Sequence, residues 1–355
     1  MRHRDALAAL LVLALANSGP AQAQEERPLY GEPEAFGPEN VAFPWFAAFS
    51  PDGRWVGFSD GETPYVEVWD AAKNKRAWPT DGKARRGTHR VSFSADSKQL
   101  AFVDGEHLVV LGLADGAWKE ANKVTLLAKP PTSARVSPLR LDFLPSGQGV
   151  VLATGDGAVS IDLTCGCIED VGDWKDVLAA FTFPDGSGAV SREGPFSTHV
   201  VPLKGEPSDV AGLLLESDAK GATWLVASDK RRFDLDPLDE KRESHLALEI
   251  REARSATARA AFELVGKRDP SKSSAHRLLV QAQFSPDGKL LATVEGTGSI
   301  VLRDATTGAA VQTIREYAPA AYATGVAFSP DCERLLTAGR RSEGAKCLLW
   351  KRRGR

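Results

Sequence analysis

Residues 280–294 read Val-Gln-Ala-Gln-Phe-Ser-Pro-Asp-Gly-Lys-Leu-Leu-Ala-Thr-Val. An alternating run ends at Phe284, a tight turn occupies Ser285 to Gly288, and an unbroken apolar run follows from Leu290. The turn residues act in three different ways. Pro286 presets φ, Asp287 ties its carboxylate to nearby backbone, and Gly288 accepts a positive φ. Further on, Glu295-Gly296-Thr297-Gly298 makes a second turn and Ser299 to Asp304 a third strand. The Thr306-Thr307-Gly308 turn then leads to a fourth strand, Ala309 to Ile314. Four short strands joined by tight turns form one small antiparallel sheet.

The turn recurs. Phe49-Ser50-Pro51-Asp52-Gly53 and Phe328-Ser329-Pro330-Asp331-Cys332 are close copies. Phe93-Ser94-Ala95-Asp96-Ser97, Phe143-Leu144-Pro145-Ser146-Gly147 and Phe183-Pro184-Asp185-Gly186 are looser ones. Copies begin at 49, 93 and 143, and again at 284 and 328, so the spacings are 44, 50 and 44 residues. A four-stranded unit at that period is a propeller blade. The expected fold is all-β, a single seven-bladed β-propeller of four-stranded antiparallel blades, with six or eight blades as the alternatives. Residues 43–80, 88–128, 138–170 and 178–206 make four blades. Blade five starts near Asp209 and holds an insertion at 228–244, and blades six and seven occupy 278–315 and 321–351. The last blade lacks a fourth strand at its C-terminal end, and the stretch from Leu29 to Val41 is placed to supply it. Closing the ring in this way hides a sheet edge that would otherwise invite aggregation.

The pattern resembles the WD-repeat β-propeller family, in which the third strand ends in Trp-Asp. Trp69-Asp70 reproduces the dipeptide, while Trp350-Lys351, Arg303-Asp304 and Ile161-Asp162 are degenerate versions. The family's internal hydrogen-bond network uses a Gly-His pair and an Asp in the second turn. Here Asp104 and Asp156 stand at the Asp position and His276 near the His position, and most other members are missing. The resemblance implies a propeller that acts through its faces; it does not carry that network over to this chain.

The N-terminus carries a different signal. Arg2 and Arg4 precede an apolar run from Ala6 to Ala16, and a polar stretch then leads to Ala21-Gln22-Ala23. This is the order of a secretory signal peptide, with cleavage expected after Ala23. Residues 1–23 are therefore read as the signal and 24–355 as the propeller, in a periplasmic or secreted protein. The apolar run is too short to span a bilayer, which takes about 20 residues. The composition is that of an ordinary globular chain, 43% hydrophobic and 26% charged. Its formal charge of −3 argues against a general nucleic-acid binder.

Among residues that carry chemistry, Cys165-Gly166-Cys167 sits at a strand turn and is open to a local disulfide, free thiols, or metal or redox chemistry. Cys332 and Cys347 both fall in blade seven. The histidines show no metal-ligand spacing and no nucleophile sits in a catalytic motif, so no cofactor, metal or catalytic residue is assigned. The acidic run Asp234 to Glu240 lacks the central Gly and ligand order of a calcium loop and reads as a solvated loop.

The connections before the first strand of each blade and between its second and third strands belong to one rim. That rim collects Arg85, Arg86, Trp174, Arg192, Phe196, Arg231, Arg232, Tyr322, Arg340 and Arg341, with Tyr317 beside them. Arginines mixed with aromatics are the residue types enriched at binding hot spots. The expected function is a non-catalytic binding or scaffold module that offers this rim to a protein or other anionic partner of the cell envelope. The alternative is a lactonase-like or quinoprotein-like propeller enzyme with its site in the central channel.

Overall fold

Burial changes in one direction across each blade, and that gradient explains the strand sequences. Second strands are apolar along their length because both faces are covered by neighbouring blades: Thr223–Ala227 is buried at every position, and Leu290–Glu295 at all but the last. Outermost strands alternate or turn polar, as in Ala117–Thr125, where Trp118 and Val124 are the buried positions.

The computed structural model describes residues 28–38, 44–60, 66–79, 90–126, 140–154, 157–172, 177–192, 197–202, 206–228, 243–267, 278–317, 323–341 and 344–354. These residues form 28 strands, β1 being Tyr30–Ala35. Blade one is β2 (Pro44–Phe49), β3 (Trp55–Asp60), β4 (Val66–Asp70) and β5 (Lys75–Trp78). Blade two is β6 (Val91–Phe93), β7 (Gln99–Asp104), β8 (His107–Ala114) and β9 (Ala117–Thr125). Blade three is β10 (Arg140–Phe143), β11 (Gly149–Thr154), β12 (Gly157–Asp162) and β13 (Ile168–Gly172). Blade four is β14 (Val177–Thr182), β15 (Gly188–Arg192), β16 (Ser197–Val201) and β17 (Ser208–Ala211). Blade five is β18 (Leu213–Ser217), β19 (Thr223–Ala227), β20 (Glu243–Glu252) and β21 (Ala258–Lys267). Blade six is β22 (Leu279–Phe284), β23 (Leu290–Glu295), β24 (Ile300–Asp304) and β25 (Ala310–Ile314). Blade seven is β26 (Ala323–Phe328), β27 (Arg334–Arg341) and β28 (Gly344–Arg352), with β1 as its fourth strand.

The protein is thus a seven-bladed β-propeller, and its two chain ends meet in one sheet. Tyr30 pairs with Arg352, Pro33 with Trp350 and Ala35 with Leu348. Tyr30 is fully buried, and its hydroxyl donates to the Cys332 carbonyl at 2.9 Å. From blade six, the Gln312 amide brackets the Tyr30 backbone, accepting from its N–H at 2.8 Å and donating to its carbonyl at 3.1 Å.

Two boundaries differ from the sequence reading. Ser208–Ala211 is the outer strand of blade four, not the start of blade five, because it pairs with β16 through Val210 opposite Thr198. Glu243 and Ser244 belong to β20, so the connection between β19 and β20 ends earlier than the 228–244 insertion. Residues 229–242 lie outside the described residues, as do 1–27, which include the expected signal segment.

The recurring turn is built as its residues dictate. In blades one, two, six and seven the serine hydroxyl accepts the backbone N–H five residues on, from Trp55, Gln99, Leu290 and Arg334, at 2.8–2.9 Å. The neighbouring aspartate accepts the N–H two residues on, from Arg54, Lys98, Lys289 and Glu333. Gly53 and Gly288 then take φ of 70° and 71°, where a Cβ is disfavoured. Ser97 and Cys332 occupy the same place at 62° and 60° without that freedom.

Candidate binding face

In every blade the connection between second and third strands leaves and returns at one rim, and so does the connection into the next blade's first strand. The ten positions singled out above all fall in, or at the strand ends of, connections of these two kinds. Arg85, Arg86, Trp174, Phe196, Arg231, Arg232 and Tyr322 lie outside the described residues, as do Asp156 and His276. Arg340 and Arg341 end β27, where they pair with Ala345 and Gly344 across the turn.

Arg192, the last residue of β15, is anchored. Its Nη2 lies 3.6 Å from Asp209 Oδ1 on β17, and that oxygen also lies 3.0 Å from His199 Nδ1 on β16. Arg192 and His199 are three-quarters or more covered while Asp209 is exposed, so the carboxylate holds two cationic or hydrogen-bonding groups at this rim. Tyr317 is different from the expectation. Its side chain is fully buried, and its hydroxyl lies 2.8 Å from Thr337 Oγ1. The Trp350 indole N–H donates to the same oxygen at 2.9 Å. Tyr317 therefore ties the connection after blade six to the second and third strands of blade seven, and it presents nothing to a partner. An aromatic just before a first strand reads equally as a contact residue or as a tether from sequence; burial decides for the tether.

The inner strands hold a charged set that sequence reading did not assemble. Arg140 opens β10, and its Nε donates to Asp142 Oδ2 at 2.5 Å. Its Nη1 lies 3.4 Å from Glu216 Oε2 on β18, two blades away. Contact between inner strands of blades three and five runs past β14 of blade four, through the axial space those strands enclose. The Arg140 guanidinium lies over the Phe181 ring of β14, 4.1 Å from its centroid. Burial disfavours the charged guanidinium, but Asp142 and Glu216 outweigh it and hold Arg140 more firmly protonated than usual. Arg140 and Asp142 stand two apart, which puts both on one side of a strand, and that signal was readable. Glu216 was not, because nothing in the sequence relates β10 to β18.

The four cysteines fall into two classes. Cys332 and Cys347 are free thiols and buried, and burial pushes the Cys347 thiol up to about 12. Cys165 and Cys167 are exposed and bridged, with Cα atoms 5.3 Å apart. Among the described residues no group of three or more His, Cys, Asp or Glu side chains is placed to hold a metal ion, and no helix is long and apolar enough to cross a membrane.

No family model matches the sequence, and no curated protein matches it. Solved structures do match in fold. A structure of U3-55K has a TM-score of 0.65 at 10% identity, covering 91% of this chain and 98% of that one. The WD40 repeats of RRP9 give 0.63 at 10% identity, covering 91% and 100%. Hydrazine synthase of Kuenenia stuttgartiensis gives 0.58 at 14% identity, covering 84% and 93%. At such identities the likeness is one of fold alone.

Proposed function

We propose that the protein is a binding module of the cell envelope, exported by its N-terminal signal, which presents one propeller rim to a protein or other anionic partner. The observation that carries this reading is the strand connectivity taken with the sequence: the paired arginines 85/86, 231/232 and 340/341 stand, in sequence, in or beside connections between strands whose joined ends lie at the same rim. A guanidinium offers a planar fork of donors suited to carboxylate and phosphate. Paired guanidiniums gathered on one face of a chain of formal charge −3 would steer an anionic partner to that face. Arg192, already braced by Asp209, supplies an oriented cation between them.

What supports binding over catalysis is that two inner-strand carboxylates, Asp142 and Glu216, are already ion-paired to Arg140. The test is a variant with Arg85, Arg86, Arg231, Arg232, Arg340 and Arg341 all changed to Ser. The wild type should retain a fluorescent oligoglutamate peptide and specific envelope proteins, with affinity falling as salt rises. The variant should lose both while its melting temperature stays put. Equal retention by the two proteins at low and moderate salt would place the binding surface elsewhere.

A further inference from the structure

We propose that Cys165-Gly166-Cys167 is a thiol–disulfide exchange site, whose bridged form oxidises thiols that reach the outer end of blade three. The bridge adds little to the fold. The turn from β12 into β13 is already held by backbone bonds, Gly166 N–H to the Asp162 carbonyl at 2.8 Å and Asp162 N–H to the Cys167 carbonyl at 2.9 Å. The Asp162 carboxylate caps it further, accepting the Thr164 N–H at 2.7 Å and hydroxyl at 2.6 Å. Gly166 supplies the positive φ of 70°. A cross-link stabilises a fold by closing a loop, and the gain grows with the logarithm of loop length. With one residue between the cysteines that gain is near its minimum, on a turn that is formed without it.

Accessibility points the same way. Both cysteines are exposed, and bridges that are exposed and structurally dispensable are the ones that exchange. The two sulfurs are not equivalent. The Cys167 N–H donates to Cys165 Sγ at 3.2 Å, which favours negative charge on Cys165. Cys165 also borders an open cleft of about 390 Å³ shared with Asn122, Lys123 and Thr125 of β9, which gives an incoming thiol room to approach the bridge. The hydrogen bond makes Cys165 the better leaving sulfur, and Cys167 is the one attacked. An incoming thiolate forms a bond to Cys167 Sγ as the Cys165–Cys167 bond breaks, and the Cys165 thiolate takes up a proton. A second thiolate attacks the mixed disulfide at the substrate sulfur and releases Cys167. Two thiols become one disulfide, and the protein pair gains two electrons and two protons.

The experiment uses the full chain in its bridged form. It is mixed in separate arms with reduced glutathione and with a peptide carrying two cysteines, quenched in acid, alkylated, and read by mass spectrometry. Within minutes the 165/167 pair should appear as the dithiol, with matching oxidised glutathione or bridged peptide and the transient adduct on Cys167. Which arm reacts distinguishes a small thiol from a polypeptide cysteine as co-reactant. Reduction should move the melting temperature by no more than about 2 °C. A pair that stays bridged under excess thiol would overturn the proposal, and so would a collapse of the melting temperature on reduction. Exchange that persists in a C165S/C167S variant would also overturn it, by moving the chemistry to Cys332 or Cys347.

Discussion

The interface between blades six and seven and the one between blades three and four are built from different materials. The first packs Tyr30, Tyr317, Phe328 and Trp350 among Leu290, Ile300, Leu335 and other aliphatics. The second packs Val151, Ala153, Ala158, Ala180 and Val190. Polar stitching is also denser at the first: Gln281 bonds both N–H and C=O of Val326 across the two inner strands, and Gln283 accepts the Phe328 N–H. Across the second, the Thr182 hydroxyl reaches the Phe143 carbonyl at 3.4 Å, and Arg140 stacks on Phe181. Large aromatic and aliphatic side chains fill the first interface, whereas small ones at the second leave a charged group stacked across it. Stability is then uneven around the ring, and the thin interface should open first.

The largest effect is expected from deleting residues 24–38. That removes β1, exposes the edge of β28 and empties the space of Tyr30, so most of the cooperative transition seen by calorimetry should vanish. If the truncated protein melts like the full chain, β1 does not close the ring in solution. Next comes a matched pair of truncations. Trp350→Ala should cost about 3–5 kcal/mol, and Val151→Ala about 1.5 kcal/mol, the transfer value of two methylenes. Similar costs in urea unfolding would remove the contrast between the interfaces.

Glu216→Ala leaves Arg140 with Asp142 alone, at a cost of about 1–3 kcal/mol for a charged group losing one of its partners. Amide exchange in β10 and β14 should quicken, while β26 and β27 stay protected.

A smaller effect is acid sensitivity of the turns. The Ser94 hydroxyl and then the Lys98 N–H hold the Asp96 carboxyl below the usual carboxylate range. Burial would raise Asp331 and Asp287, but bonds from Ser329 and Glu333, and from Ser285 and Lys289, bring both below it. A carboxylate depressed in the folded state contributes stability above its unfolded pKa of about 3.9, and that contribution fades as pH falls through the folded value. A D96N/D287N/D331N variant should therefore be less stable than wild type at neutral pH, with the gap narrowing toward pH of about 3. A gap independent of pH would mean the carboxylates act by shape alone.

The fold was legible because one turn is chemically demanding. Ser, Pro, Asp and Gly at fixed offsets declare a hairpin each time they recur, and the clearest copies lie in blades one, six and seven. Between them the turn weakens to Leu144-Pro145-Ser146-Gly147 and to Asp218-Ala219-Lys220-Gly221, where a single side chain caps the backbone. There the boundary between blades four and five slipped, since Ser208–Ala211 carries too little apolar pattern to announce its pairing. Tyr317 was misplaced at the rim because an aromatic in a connection reads alike whether buried or presented. The Arg140, Asp142 and Glu216 set stayed hidden for another reason: its members meet only once the ring has brought blades three and five together.

The binding claim is most directly tested by a charge swap between rims. One variant changes the three arginine pairs at 85/86, 231/232 and 340/341 to Ser; a second removes the same number of charges from the turns of the opposite rim, changing Arg54, Lys73, Lys98, Lys220, Arg254 and Lys289 to Ser. Affinity for the oligoglutamate peptide is measured for both at low and moderate salt. A built face should give a loss of at least about tenfold for the first, equivalent to about 1.4 kcal/mol, and little change for the second. Equal losses in the two variants would show that net charge, and not a built face, draws the ligand, and would contradict the binding claim.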